Sequence, residues 1–274
     1  MTTILQISDA HLSPRNALFR RNLALIQEWA EAHQPELVVA SGDLSLDGAD
    51  STEDLEFAVA LLRRLPAPVL AIPGNHDTGS HPRTMPDQPV NATRLARFRL
   101  TVGPDWWMQD QPGWRVLGLN TEIMGSGLPD ESQQAAFIAD AAAGAGNRRL
   151  AVFLHKPAFV TAPDDPSFDY WSVPPQARPT LAPLLSHPGL RLVASGHLHL
   201  YREEMRGAAR FAWAPALSFL VEPEMQAGLP GERLLGTLVH RLHADHAETT
   251  LLSPDGIETR WLEQIRDQTY PRQG

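Results

Sequence analysis

Short apolar runs alternate with amphipathic stretches along the first two-thirds of this 274-residue chain. Residues 3–8, 37–41, 69–72, 116–119, 150–154 and 190–194 are apolar runs of strand length. Between them, residues 16–33, 51–65, 91–101 and 130–143 repeat apolar positions at helical spacing, as Leu18, Leu25, Ile26 and Trp29 do in the first. Ser51 and Thr52 are cap candidates for the second helix, and Gly144 and Gly146 close the Ala-rich fourth. This alternation predicts an α/β domain with a largely parallel sheet covered on both faces. Beyond residue 200 the pattern turns to strands, at 211–213, 234–242, 248–252 and 257–262, with Pro254-Asp255-Gly256 as a turn and no helix. The expected organisation is one domain over residues 1–263, in which 200–263 adds mainly antiparallel strands, followed by a polar tail over 264–274.

The residues that follow the apolar runs are the informative ones. The first run ends at Asp9, with His11 two positions on; the second at Gly42-Asp43; the third at Pro73-Gly74-Asn75-His76-Asp77. The run at 150–154 ends at His155, and that at 190–195 ends at Gly196-His197-Leu198-His199. Ligands of open α/β sheets bind outside the carboxyl ends of the strands, so these residues are expected to converge on one place. Their oxygen and nitrogen donors suit Mn, Fe or Zn better than a calcium cage. Each element alone is weak evidence, since a lone buried histidine is most often a hydrogen-bonded core residue. Five in order at the same structural position are a much stronger signal. Among the eleven histidines, His33, His81 and His187 read as solvated. His240, His243 and His246 read as exposed polar residues rather than a second metal cluster.

Composition narrows the chemistry. The chain has no cysteine, so disulfides, thiolate metal sites and a cysteine nucleophile are excluded. A formal net charge of −9 disfavours nonspecific binding to a phosphate backbone, and no nucleic-acid partner is expected. No segment is long and apolar enough to span a membrane, and residues 1–9 do not read as a secretion signal, so a cytoplasmic protein is expected. A homo-oligomer is compatible with the sequence. Lys156 is the only lysine; all other fixed side-chain cations are arginine.

Asp9-x-His11, Gly42-Asp43, Gly74-Asn75-His76-Asp77, His155 and Gly196-His197-x-His199 together resemble the motif set of the calcineurin-like metallophosphoesterases. The stretch Gly42-Asp43-Leu44-Ser45-Leu46-Asp47-Gly48 further resembles the branch of class III cyclic-nucleotide phosphodiesterases and glycerophosphodiesterases. The resemblance implies a four-layer αββα sandwich, two mixed sheets flanked by helices, with the strands beyond residue 200 in the second sheet. It also implies two divalent metal ions. Asp9, His11 and His199 would hold one, Asn75, His155 and His197 the other, and Asp43 would bridge them. His76 would stand beside the centre as phosphate contact and general acid. Two positions depart from that branch: His155-Lys156-Pro157-Ala158 stands where His-His-Pro-Pro is frequent, and Asn120 where Asp is frequent. The seven presumed ligands are intact, so these departures bear on substrate preference.

The expected reaction is hydrolysis of a small phosphoester, by attack on phosphorus of a hydroxide bridging the two metals. A diester is favoured over a monoester because only Lys156 and Arg178 offer extra positive charge nearby, while residues 158–178 carry Phe159, Phe168, Tyr170 and Trp171. That Pro-rich segment is either a lid over the site or a long loop pinned to the sheet. Lys156, Tyr170 and Trp171 are the candidate substrate contacts. The alternatives are a phosphomonoesterase, a nuclease, and a metal-binding scaffold without catalysis. Trp106-Trp107 reads as a core or loop anchor rather than a substrate platform.

Overall fold

The structure, a computed structural model, describes residues 1–15 and 17–269. Asn16, the expected start of the first helix, and residues 270–274 of the tail lie outside the described residues. Among the described residues, eleven strands form two sheets. The first has the order β11-β10-β1-β2-β3, from β1 (Thr2–Ile7), β2 (Leu37–Ser41), β3 (Val69–Ile72), β10 (Thr237–Leu242) and β11 (Ala247–Leu252). The second has the order β4-β5-β6-β7-β9-β8, from β4 (Trp107–Gln111), β5 (Trp114–Gly118), β6 (Arg149–Phe153), β7 (Leu190–Ser195), β8 (Arg202–Arg206) and β9 (Ala209–Trp213). β1, β2 and β3 are parallel, as are β5, β6, β7 and β9.

Period-two alternation explains why these strands are apolar throughout. Leu5, Ile7, Val38 and Ala40 point from the first sheet into a core shared with α1 (Arg20–His33), α2 (Thr52–Leu62) and α7 (Leu262–Thr269). Ile4, Leu37 and Val39 on the opposite face meet Trp114, Val116, Ala151 and Phe153 of the second sheet. Leu117, Leu150 and Val152 face away from that interface onto α5 (Pro129–Ala143) and α6 (Ala182–Leu185). Strands buried on both faces cannot alternate with polar residues. Three stacked cores make four layers, the expected αββα sandwich.

Capping agrees with the sequence. Ser51 accepts from the Asp54 amide at the start of α2, and Asn91 accepts from the Arg94 amide at the start of α4 (Ala92–Thr101). Trp107 is an anchor: it packs in β4 and its indole N–H donates to the Ala71 carbonyl at 2.9 Å. Three features differ from expectation. The strands beyond residue 200 divide between both sheets, because β10 pairs with β1 of the first and β9 with β7 of the second. Residues 257–261 pair only through the Leu220–Trp261 bridge. Helix α7 follows, over residues placed in a polar tail, and buries Leu262, Ile265 and Thr269. Their spacing of three and four is one helical stripe, hidden in sequence by the surrounding charges.

His240 also differs: it is fully buried in β10. Gln6 Oε1 lies 2.9 Å from Nε2 and the Thr249 hydroxyl 2.9 Å from Nδ1. The Gln6 amide nitrogen faces Ser41 Oγ, so Oε1 accepts from Nε2–H and the Thr249 hydroxyl donates to Nδ1. The ring is therefore satisfied when neutral. Burial, with Arg210 nearby, pushes its pKa down to about 3. An unfolded chain takes up the proton near pH 6.5, so this contribution to stability is complete above that pH and is lost as pH falls toward 3. Between pH 7 and pH 5 the loss is roughly 2 kcal/mol. Denaturant unfolding of the wild type and His240→Gln at both pH values measures it: the variant should lose less stability by that amount. Equal losses would contradict the assignment.

Candidate metal centre

The parallel strands of the two sheets end at one rim, and the loops leaving them are stitched together. The Asp9 amide donates to the Gly42 carbonyl and the His11 amide to the Asp43 carbonyl, both at 3.0 Å. Across the sheets, His155 Nδ1 donates to the Ser41 carbonyl at 3.0 Å, and the His197 amide donates to Asp9 Oδ2 at 3.0 Å. Asp9 and His11 after β1, Asp43 after β2, Asn75 and His76 in α3 (Asn75–Thr78), His155 after β6 and His197 and His199 after β7 are all buried together.

Their donor atoms converge. His199 Nε2 lies 3.4 Å from Asp9 Oδ1 and 3.4 Å from His11 Nε2. His155 Nε2 lies 3.3 Å from Asn75 Oδ1 and 3.4 Å from Asp43 Oδ2, and His197 joins Asp43 and His155 in a second cluster. Asp43 Oδ2 is also 3.8 Å from His11 Nε2, so this carboxylate stands between the two groups. Its other oxygen, Oδ1, accepts from the His76 amide at 2.8 Å. All seven expected ligands and His76 are therefore in one place.

The backbone is bent to achieve this. Asp9, His11, Asp43, His197 and His199 have φ of 53°, 45°, 49°, 70° and 53°; among the described non-glycine residues only Gln34 joins them on the left-handed side. Each such residue costs on the order of 1–3 kcal/mol, strain that packing must offset and that concentrates at functional sites. Gly42 (φ 95°) is needed for a further reason, since a Cβ there would lie 2.2 Å from His155 Nδ1. Asp77, to which sequence assigned no role, ties two ligand loops together. Its buried carboxylate accepts from the amides of Leu44, Ser45 and Gly74, each at 3.0 Å. Burial and the nearby Asp43 raise its pKa to about 6.

The donor set fits divalent metal. Asp9 Oδ1 is buried and accepts no hydrogen bond, while its partner Oδ2 is held by Ser8 Oγ at 2.5 Å and by the His197 amide. An orphan carboxylate oxygen facing imidazole nitrogens is a ligand position. The charges agree. Burial opposes ionisation of Asp43, but His155 and His76 hold its carboxyl well below the usual range. Burial likewise opposes ionisation of Asp9, and the adjacent His199 more than reverses it. Burial keeps His11 and His197 neutral, the form that ligates metal. Burial also disfavours charge on His155, yet Asp43 and its neighbours push it up to about 10. The cluster of carboxylates thus calls for positive charge at its centre.

His11 Nδ1 is buried without a partner, whereas His199, His76 and His197 are oriented by backbone carbonyls. His199 Nδ1 donates to the Phe219 carbonyl at 2.7 Å and His76 Nδ1 to the Leu46 carbonyl at 2.7 Å. His197 Nε2 donates to the Tyr170 carbonyl at 3.0 Å, which leaves Nδ1 for metal. The 158–178 segment combines both expected roles. Phe159 is buried in the core, and Arg178 is engaged by the carbonyls of Pro163, Asp165 and Val173, so it is not a substrate cation. Tyr170 and Trp171, in contrast, line a cavity of about 240 Å³ with Asp43, His76, His197 and His199. His81, expected to be solvated, is buried edge-on against Phe168 of the same segment, with centroids 5.0 Å apart. Lys156 is buried: Nζ donates to Ser80 Oγ at 2.6 Å and lies 3.3 Å from Glu122. Asn120, the other departure, is structural: its side-chain amide donates to Asp105 and its Oδ1 accepts from the Glu122 amide.

Comparison with known proteins agrees with this geometry. Similar chains include a probable cyclic nucleotide phosphodiesterase of Synechococcus, 26% identical over 82% of this chain and 85% of its own length. The human serine/threonine-protein phosphatase CPPED1 is 28% identical over 61% of this chain, which spans about half (54%) of that protein's length. Among solved structures, GAP50 of Plasmodium has a TM-score of 0.68 at 14% identity, covering 94% of this chain and 86% of its own. A dimetal phosphatase of Danio rerio has 0.59 at 14% identity, covering 92% and 99%. The calcineurin-like phosphoesterase family model matches residues 2–201. The chain belongs to the calcineurin-like phosphoesterase family.

Proposed function

We propose that the protein hydrolyses small phosphodiesters at a dinuclear metal centre. Two divalent ions (Mn, Fe or Zn), one held by Asp9, His11 and His199, the other by Asn75, His155 and His197, with Asp43 shared, would supply Lewis acidity and an acidified water. The chain's own residues do the rest. The Asp43 carboxylate fixes the His76 amide and the Leu46 carbonyl accepts from His76 Nδ1, which orients the ring for Nε2 to give its proton to the leaving alkoxide. The buried wall around the ligands keeps competing water away from the charges.

The observation that carries the diester reading is the cavity wall. Beside the ligands it is lined by Tyr170, Trp171, Val221, Met225 and Leu262, a surface for the organic arm that a diester has on both sides of phosphorus. Among the described residues, Arg266 is the one lysine or arginine lining it, and its guanidinium is engaged by Glu263 and by Met225 Sδ. A dianionic monoester would ask for more. The likeness to the CPPED1 phosphatase favours a monoesterase as the second reading. The net charge of −9 argues against a nucleic-acid substrate.

A substrate panel tests the choice. With Mn²⁺ added, bis(p-nitrophenyl) phosphate, cyclic nucleotides and glycerophosphodiesters should be turned over with higher kcat/KM than p-nitrophenyl phosphate. Activity on the monoester alone would overturn the diester reading.

A further inference from the structure

We propose that Lys156 is a positioning residue that acts through Tyr170 to hold His197 in its metal-binding orientation, and is not a contact for substrate. The inference rests on the metal-centre reading above.

His11 Nδ1 and Asn75 Nδ2 are buried without a hydrogen-bond partner, while the second atoms of the other five candidate ligands are held in two different ways. Asp9 Oδ2, Asp43 Oδ1, His155 Nδ1 and His199 Nδ1 are bonded to backbone or to Ser8 beside the ends of core strands, except that His199 uses the Phe219 carbonyl. All of these partners are buried. His197 differs. Its Nε2 depends on the Tyr170 carbonyl, which belongs to the long Pro-rich segment rather than to a sheet. Its ring also packs against the Tyr170 ring, with centroids 4.7 Å apart, so both the aim and the tilt of this ligand depend on where Tyr170 sits.

Lys156 connects that segment to the interior. Its ammonium lies 4.9 Å from the Tyr170 ring centroid, within cation–π reach. The same ammonium donates to Ser80 Oγ at 2.6 Å and is 3.3 Å from Glu122, whose side chain is fully buried. Its backbone amide donates to Thr121 Oγ1 at 3.0 Å, directly after the ligand His155. A chain of contacts therefore runs from Glu122, behind β5, through Lys156 and Tyr170 to His197. Lys156 is 3% exposed and does not line the cavity, so its charge is directed at the loop and not at substrate.

A buried cation over a half-buried aromatic ring is a strong local tether because little water competes for it. Losing an outer partner of a metal-ligating histidine typically costs about 10–100-fold in metal affinity. Lys156→Met alone would strand the Glu122 carboxylate, so the test uses Lys156→Met/Glu122→Gln, which removes both charges. Full-length protein stripped with chelator is titrated with Mn²⁺ by calorimetry, and KM for bis(p-nitrophenyl) phosphate is measured at saturating Mn²⁺. The double variant should bind one of its two Mn²⁺ ions, the one His197 would hold, about 10–100-fold less tightly, with KM unchanged. Tyr170→Leu, a change in a loop, should give a loss of the same size by itself. In the Tyr170→Leu background the Lys156/Glu122 change should add nothing further. A raised KM with unchanged Mn²⁺ affinity would make Lys156 a substrate contact and overturn the proposal. A loss that persists in full in the Tyr170→Leu background would overturn the route through Tyr170. A wild-type chain that binds no Mn²⁺ would instead overturn the metal-centre reading, before any variant is compared.

Discussion

His76→Ala should lower kcat for diesters with alkyl leaving groups by about 10²–10⁴-fold, the range for loss of a general acid. The loss should be much smaller for a nitrophenolate leaving group, which departs without a proton. The geometry sets this expectation. His76 Nδ1 is committed to the Leu46 carbonyl, and its ring stands edge-on to the candidate ligand His11 with centroids 4.5 Å apart, on the rim of the cavity. His76 touches the Asp43 carboxylate through its backbone amide, which alanine retains, so bound Mn²⁺ should stay at the wild-type level. Equal losses for good and poor leaving groups would remove the acid role and leave only a phosphate contact. A fall in bound metal would make His76 a ligand, a possibility its proximity to His11 and Asp43 makes worth measuring.

Asp43→Ala should have the larger effect on metal. Among the described residues its carboxylate is the one that joins histidines of both candidate clusters, at 3.8 Å from His11 and 3.4 Å from His155. Removing it takes one negative charge from a centre where His155 and His76 already favour that charge. The loss of Mn²⁺ affinity should exceed the roughly 10–100-fold that an outer partner costs, and should affect both ions. Asp9→Ala should weaken one ion more than the other, because Asp9 stands in a single cluster with His11 and His199, and its Oδ2 is taken by Ser8 Oγ and the His197 amide. Calorimetric titration of both variants separates a shared ligand from an unshared one. If Asp43→Ala lost one ion and kept the other at wild-type affinity, Asp43 would not be shared.

Much of this was legible in the sequence, for identifiable reasons. Strands buried on both faces announce themselves as unbroken apolar runs, and the residues past their ends carry the chemistry; β1 with Asp9 and β7 with His197 are examples. The edge strand β4 was not legible, since Trp107-Met108-Gln109-Asp110-Gln111 exposes every second residue to solvent and carries no apolar run. β8, with Arg202-Glu203-Glu204-Met205-Arg206, is hidden in the same way; charged edges of this kind block further strand pairing. The sheet assignment of β10 depends on its pairing with β1 more than two hundred residues earlier, which local periodicity does not encode. His240 looked exposed because its partners, Gln6 and Thr249, come from two other strands. At the site, the ligands were legible as types at recurring positions. The supports were not: the Tyr170 carbonyl behind His197 and the Glu122–Lys156 pair are products of loop geometry.

We propose that Asp9, His11, Asp43, Asn75, His155, His197 and His199 form one centre for two ions. Mn²⁺ stoichiometry of the chelator-stripped wild-type chain at equilibrium tests it most directly. Two ions per chain, with phosphodiesterase activity returning as they bind, is the expected result. A chain that binds no Mn²⁺, Fe²⁺ or Zn²⁺, or that hydrolyses phosphodiesters equally well without them, would contradict the account.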